Sequence, residues 1–209
     1  MTARLLIATT NRGKQMEFRR LLAHLPAIVV TPDELGIQLE VEEPYDTYAE
    51  NAAAKARAFC RASGLLSLAD DSGIEVAALG WGPGVRSARW GSGPGSQADR
   101  LGRALVEADD RRARMVCSLA IARPTAGEPS VEIFTGVVDG SIAREPRGEN
   151  GFGYDPIFLL PSGETTAELP EGEKDRISHR GQAVAAALPR LSELLAVDAD
   201  TTAKPEEQP

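Results

Sequence analysis

Apolar residues in this chain fall into short runs with two different periods. Leu5-Leu6-Ile7-Ala8 is a continuous apolar run closed by polar residues, and predicts a short buried strand over residues 5–9. Phe18, Leu21, Leu22 and Leu25 then recur at helical spacing and stop before Pro26, so a helix is expected to end near Leu25. Residues 27–31 predict a second strand. The opening order of strand, turn, helix and strand is that of a βαβ unit in an α/β sheet. In the next helix, Thr47-Tyr48-Ala49-Glu50 fits a capping box, and Tyr48, Ala52, Ala56, Phe59 and Cys60 form the apolar face. Gly64 follows its end, and residues 65–69 predict a strand leading into the turn-like Asp70-Asp71-Ser72-Gly73.

Periodicity is lost over residues 80–97, rich in Gly, Pro and Ser around Trp81 and Trp90, which predicts a long loop. It returns as a helix carrying Leu101, Ala104, Leu105 and Ala108, then as a hairpin of strands over 115–122 and 131–138. A strand is expected over 157–160. A last helix from Ser178 places Val184, Ala187, Leu188, Leu191 and Leu195 on one face, with a kink or break expected at Pro189. From Val197 the polar sequence predicts a disordered tail over 197–209, leaving a single domain over 1–196.

Composition narrows the classes. The 209 residues are 42% hydrophobic and 26% charged, a globular profile, and only 5% are aromatic, so the core rests on Leu, Val, Ile and Ala. A formal net charge of -8 argues against a long polyanion such as nucleic acid as the main partner, while leaving room for a small phosphorylated ligand. Cys60 and Cys117 stand far apart in apolar runs and are expected to be buried free thiols. No signal-peptide pattern and no stretch long enough to span a membrane is seen, so a cytoplasmic protein is expected.

Four clusters carry candidate chemistry, each at a strand end, where ligands bind in open α/β sheets. Thr9-Thr10-Asn11-Arg12-Gly13-Lys14 offers small polar residues, a helix start and a cation to an anion, though it lacks the P-loop spacing. In isolation, an Asn-capped helix start with solvated cations is the better explanation of it. Adjacent Asp70 and Asp71 after a buried strand need a compensating cation, and their oxygens suit Mg²⁺. In an extended chain only one would face the cleft, the other bracing a turn. Phe152, between Gly151 and Gly153, is a candidate platform for a planar base, with Tyr154 and with Asp155 as an acceptor. Lys174 and Ser178-His179-Arg180-Gly181 place cations at a helix start, with Ser178 as N-cap. Together they describe a nucleoside triphosphate site.

These residues resemble the motifs of the inosine triphosphate pyrophosphatase family, which removes deaminated purine nucleotides (ITP, dITP, XTP) from the precursor pool. The resemblance runs in order from Leu5 to about Leu195. It rests on Thr9 to Lys14, Glu50-Asn51-Ala52 with Lys55-Ala56, Ala69 to Gly73, and Pro83-Gly84 with Ser87-Ala88-Arg89-Trp90. Arg144-Glu145-Pro146, Gly151 to Pro156 and Ser178 to Gly181 complete it. It implies an elongated α/β fold with a mixed central sheet, two lobes flanking a cleft, and a homodimer. It further implies phosphate binding by Thr9, Thr10, Asn11, Arg12, Gly13 and Lys14 with Lys55, catalysis by Asp71, and Mg²⁺ held by Glu43 and Asp71. Ser72, Phe152, Gly153, Tyr154, Asp155, Lys174, His179 and Arg180 would surround the substrate. Pro44 after Glu43, together with Thr10 and Pro189, departs from the family pattern.

The mechanism expected is attack on the α-phosphorus by a water that Asp71 orients or deprotonates, with cations stabilising the departing pyrophosphate. Donors near His179 and Arg180 would select a 6-oxo purine. Two other readings stand beside this one. A Maf-like pyrophosphatase for pyrimidine or modified nucleotides would share the chemistry and differ in the base pocket. A non-catalytic nucleotide-binding or sensor protein would bind tightly without turnover, though it gains little from two carboxylates beside a polyanion.

Overall fold

The computed structural model describes residues 2–91 and 94–201. Strand β1 (Ala3–Ile7) leads into α1 (Arg12–Leu21) and β2 (Ala27–Val30), the expected βαβ opening with β1 and β2 parallel. Helix α2 (Tyr48–Ser63) follows, then β3 (Leu66–Val76), β4 (Gly82–Pro83) and a 3-10 segment (Gly84–Arg89). Helix α3 (Gln97–Ala104) precedes the long hairpin β5 (Arg112–Arg123) and β6 (Ser130–Ile142). Then come β7 (Phe158–Leu159), α4 (Glu171–Ile177) and α5 (His179–Thr201). Among the described residues the strands form one mixed sheet in the order β2-β1-β3-β5-β6-β7, with β4 alongside β3.

What positions the site is the way β3 is shared. One edge pairs antiparallel with β5 from Ser67 to Val76. The other edge pairs with β1 at Leu66–Leu68 and with β4 only at Glu75–Val76. Between these two partners the free edge, residues 69–74, faces a cleft. It lies where parallel β1 and β3 end and the connections diverge, the kind of junction that binds ligands in α/β sheets.

The core follows the same division. Leu5 and Ile7 pack with Phe18, Leu68, Leu119 and Leu191 on the face covered by α1 and α5. Leu6 and Ala8 pack with Ala52, Ala56, Phe59 and Ala120 on the face covered by α2. A strand buried on both faces explains why residues 5–8 are apolar without alternation. A third cluster of Ile74, Leu101, Leu105, Ile142, Tyr154 and Phe158 forms the second lobe beyond the cleft. Cys60 and Cys117 are buried free thiols, as expected. Among the described residues no helix is long and apolar enough to cross a membrane.

Several elements differ from expectation. Asp70 to Gly73 is no turn: β3 runs through it, because Asp70, Asp71, Ser72 and Gly73 pair in register with Leu119, Ser118, Cys117 and Val116. The loop at 80–97 contains β4, the 3-10 segment and the start of α3. At the start of α2, Thr47 caps the Glu50 amide, but Glu50 accepts from the Thr47 hydroxyl (2.6 Å) rather than from the backbone. Helix α5 passes through Pro189 without a break. Pro189 and Ala185 lie on its exposed side, so the carbonyl that lacks its usual donor is not sealed in the core. The helix reaches Thr201, into the stretch expected to be disordered; the remainder of that tail, 202–209, lies outside the described residues.

Gly136 on β6 lets the N-terminal turn of α5 lie directly on the sheet. A methyl group there would overlap the His179 carbonyl and stand 2.6 Å from the Ala183 amide nitrogen. Both obstacles are backbone, so the helix must shift. Gly136→Ala is expected to cost about 1–3 kcal/mol, the usual range for overpacking. Thermal melting should show a loss of several degrees, and an unchanged melting temperature would refute this account of the helix docking.

Candidate active site

Alternation along β3 sends its two carboxylates to opposite faces, as the sequence implied. Asp70 points toward α1 and α5. Its side chain is fully buried, 3.0 Å from Lys14 Nζ and 3.0 Å from Arg180 Nη2. Burial pushes its carboxyl up, but Lys14, Arg180 and Lys55 outweigh it and hold the group far below the usual carboxylate range. Asp71 points toward α2, where Asn51 Nδ2 donates to its Oδ2 at 3.0 Å. Here burial prevails and the pKa is raised, with Glu43 adding to the push against Asn51, Lys55 and Lys14. Two neighbours in sequence therefore have opposite characters. One is a permanently ionised anchor and the other a carboxylate with raised basicity at the cleft.

The first phosphate candidate forms as a capped helix start. Asn11 accepts from the Lys14 amide at 3.1 Å, Thr9 Oγ1 accepts from the Asn11 amide at 3.2 Å, and Gln15 Nε2 donates to the Thr9 carbonyl at 2.8 Å. Thr9, Thr10, Asn11 and Lys14 line the cleft, as do Lys55, Glu43, Asp71 and Ser72 across it. Arg12 and Gly13 do not line it. Gly13 instead makes room for a neighbour, since a Cβ there would come within 2.5 Å of the Phe152 ring. Lys55 is paired with Glu43.

The second lobe closes the opposite wall. Phe152, Gly153, Tyr154 and Asp155 line the cavity with Lys174, His179 and Arg180. Asp155 is already spoken for. Its Oδ2 accepts from Lys174 Nζ (2.5 Å) and the Phe152 amide (2.7 Å), and its Oδ1 from Thr166 Oγ1 (2.9 Å). Tyr154 donates its hydroxyl to the Ser87 carbonyl at 2.7 Å, tying the loop to the 3-10 segment. The Phe152 ring has Lys174 Nζ 5.4 Å and the Arg180 guanidinium 5.8 Å from its centroid. Arg180 Nη2 also donates to Ser72 Oγ at 3.0 Å. Ser178 is the expected cap, accepting from the Gly181 amide at 3.0 Å. The cavity between the lobes measures about 820 Å³, within the range of small-molecule sites.

Sequence reasoning missed two residues that organise this site. Glu17 on α1 is buried and bridges Lys174 (2.7 Å) and Arg180, linking α1 to α4 and α5. A carboxylate set among Phe18, Leu21 and Leu22 on an apolar stripe was the signal for it. Asn51 holds Asp71 and also exchanges bonds of 3.1 Å with the Tyr45 backbone. It stood inside a quoted motif but had been given no role.

His179 is buried, and burial together with Arg180 lowers its pKa to about 3. Among the described residues its Nδ1 has no hydrogen-bond partner. The sign of the linkage is definite: between about 6.5 and 3 the unfolded chain takes up a proton that the folded chain refuses, so stability falls as pH falls through that window. Urea titrations from pH 7 to pH 5 are expected to show this decline, and His179→Asn should flatten it. An unchanged slope in the variant would refute the buried neutral imidazole.

The Ham1 family profile matches residues 5–190. The chain belongs to the Ham1 family. It is 49% identical over 195 residues to the dITP/XTP pyrophosphatase of Ralstonia nicotianae, covering 90% of this chain and 96% of that one. It is 48% identical to the enzyme of the same name from Nitrosomonas europaea, covering 91% and 95%. Among solved structures, a HAM1 protein from Coxiella burnetii superposes with a TM-score of 0.77 at 40% identity over 93% of this chain and 99% of that one. The Staphylococcus aureus Ham1 protein gives 0.75 at 36% identity over the same shares. The family resemblance read from the motifs therefore holds, as does the mixed α/β fold. This Ham1 chain is an enzyme, a hydrolase acting on phosphorus anhydrides.

Proposed function

We propose that this Ham1 chain hydrolyses deaminated purine nucleoside triphosphates (dITP, ITP and XTP) to the monophosphate and pyrophosphate, with Mg²⁺, and so clears them from the precursor pool. The observation that carries the chemistry is the contrast between Asp70 and Asp71 at the free edge of β3. Asp70 holds Lys14 and Arg180 in place, while Asp71 faces the cleft with raised basicity. The names of the relatives support the substrate class.

Among the described residues no three His, Cys, Asp or Glu side chains converge as a metal cage. That suits Mg²⁺, which keeps several waters and takes one or two carboxylates together with substrate phosphates. Glu43 and Asp71 fit the part, since Glu43 pushes the Asp71 carboxyl up and both share Lys55 as a neighbouring cation. Bound there, Mg²⁺ would supply charge neutralisation for the phosphates.

The remaining work belongs to the protein. Asp71 accepts a proton from the attacking water, and Asn51 fixes its orientation. Lys14 and the capped start of α1 stabilise charge on the phosphates. Phe152 serves as the base platform, with Gly153 and Ser72 in the same cavity, while Asp155 and Lys174 line the cleft and hold that loop in place beside the substrate. Being neutral, His179 presents an N–H without repelling its cationic neighbours. A donor at the 6-position favours a 6-oxo purine over a 6-amino one by about 1–3 kcal/mol. A homodimer is part of this reading, tested by light scattering.

The test is turnover on dITP, XTP, ATP, GTP, dTTP and UTP, with and without Mg²⁺, assaying pyrophosphate separately from phosphate. Preferential Mg²⁺-dependent release of pyrophosphate from dITP and XTP is expected. Preference for dTTP or UTP would move the protein to the Maf-like reading, and tight binding without turnover would make it a sensor.

A further inference from the structure

Among the described residues, five Lys and Arg side chains line the cleft: Lys14, Lys55, Arg89, Lys174 and Arg180. Four of them are neutralised within the protein. Lys14 is paired with Asp70, Lys55 with Glu43, Lys174 with Glu17 and Asp155, and Arg180 with Glu17 and Asp70. Arg89 differs: among the described residues no carboxylate forms an ion pair with it and no side chain or backbone group accepts from it. It is also the one cation of the five carried by the 3-10 segment (Gly84–Arg89), and it lines the same cavity as Lys14.

An unpaired exposed arginine is ordinary when its backbone is loose, but this backbone is pinned. Ser87 is buried; its hydroxyl accepts from the Ile74 amide at 2.9 Å and donates to the Gly84 carbonyl at 2.5 Å. The Ser87 carbonyl takes the Tyr154 hydroxyl, and Gln97 Nε2 donates to the Ala88 carbonyl at 2.8 Å. The segment next to Arg89 is thus fixed to β3, to the Phe152 loop and to α3. Gly73 makes this fit possible, since a Cβ there would stand 2.5 Å from Ser87 Oγ.

We propose that Arg89 is a polyphosphate-binding residue supplied by the second lobe, closing on the triphosphate opposite Lys14. This rests on the nucleoside triphosphate reading of the same cleft. A guanidinium offers a planar fork of donors that matches phosphate oxygens, and a cation without an internal partner has no ion pair to break before it binds.

The experiment compares wild type, Arg89→Gln and Arg89→Lys by steady-state kinetics on dITP and by competitive inhibition with two probes, inorganic tripolyphosphate and inosine. Arg89→Gln is expected to raise KM at least tenfold and weaken tripolyphosphate inhibition by a similar factor, leaving inosine inhibition within twofold of wild type. Arg89→Lys should recover part of the loss. A KM and tripolyphosphate inhibition within twofold of wild type would overturn the proposal. So would an equal loss of inosine inhibition, which would mark a structural effect. Absence of turnover in the wild-type protein would instead refute the reading of the cleft itself, so the two failures are distinguishable.

Discussion

Asp71→Asn is expected to lower kcat on dITP by a factor of roughly 10²–10⁴, the range contributed by a positioned general base, while the protein stays folded. The raised pKa of Asp71 means that the fold already favours its uncharged form relative to water, so an isosteric neutral group is accommodated cheaply. Asn51 Nδ2 retains an acceptor in the amide oxygen. Asp70→Asn should behave in the opposite way. It removes the fully buried charge that compensates Lys14 and Arg180, so its first effect is on stability. The pair of variants separates chemistry from scaffolding at two adjacent positions. If Asp71→Asn keeps near-normal turnover, or if Asp70→Asn is as stable as wild type, the division of labour on β3 is wrong.

The second large effect lies at Glu17. Its side chain is 5% exposed and bridges Lys174 and Arg180, whose side chains are 5% and 3% exposed. Burial penalises the Glu17 charge, yet Arg180 and Lys174 together lower its pKa, so the anion is the form the fold is built around. Glu17→Ala leaves two buried cations with one fewer partner each. Breaking a buried ion pair costs about 3–5 kcal/mol, and because Asp155 and Asp70 remain, the lower end of that range, about 3 kcal/mol, is expected. For a chain of this length that corresponds to a fall in melting temperature of roughly 6–12 °C. Glu17→Gln should fall between the two, keeping hydrogen bonds and losing charge. A change below about 1 kcal/mol in Glu17→Ala, by urea denaturation, would show that the bridge contributes little.

These two positions also mark how far the sequence could be read. The strand and helix periods were visible wherever an element has one buried face or two, as in α2 and in residues 5–8. The motifs named the cleft because ligand-facing residues cluster at strand ends. Asp70 to Gly73 reads locally as a turn because Asp, Ser and Gly favour turns. Pairing with β5 and the cations beneath Asp70 overrule that preference, and neither is a local property. Helix α4 is not legible since Glu171 to Ile177 has a glycine and no apolar period; α1 holds it through Arg20–Asp175 and Glu17–Lys174. Lys174 and Asp155 line the cleft as the motifs suggest, and they also bond each other, a pairing that no local pattern discloses. Residue types disclosed which groups gather at the site; which of them neutralise one another depends on packing between elements far apart in the chain.

In the proposed mechanism water, activated beside Asp71, attacks the α-phosphorus. Hydrolysis of dITP in ¹⁸O-enriched water, followed by mass spectrometry of both products, tests it directly. One labelled oxygen in the nucleoside monophosphate and none in pyrophosphate is the result expected. Label in pyrophosphate, or release of labelled orthophosphate instead, would contradict the account.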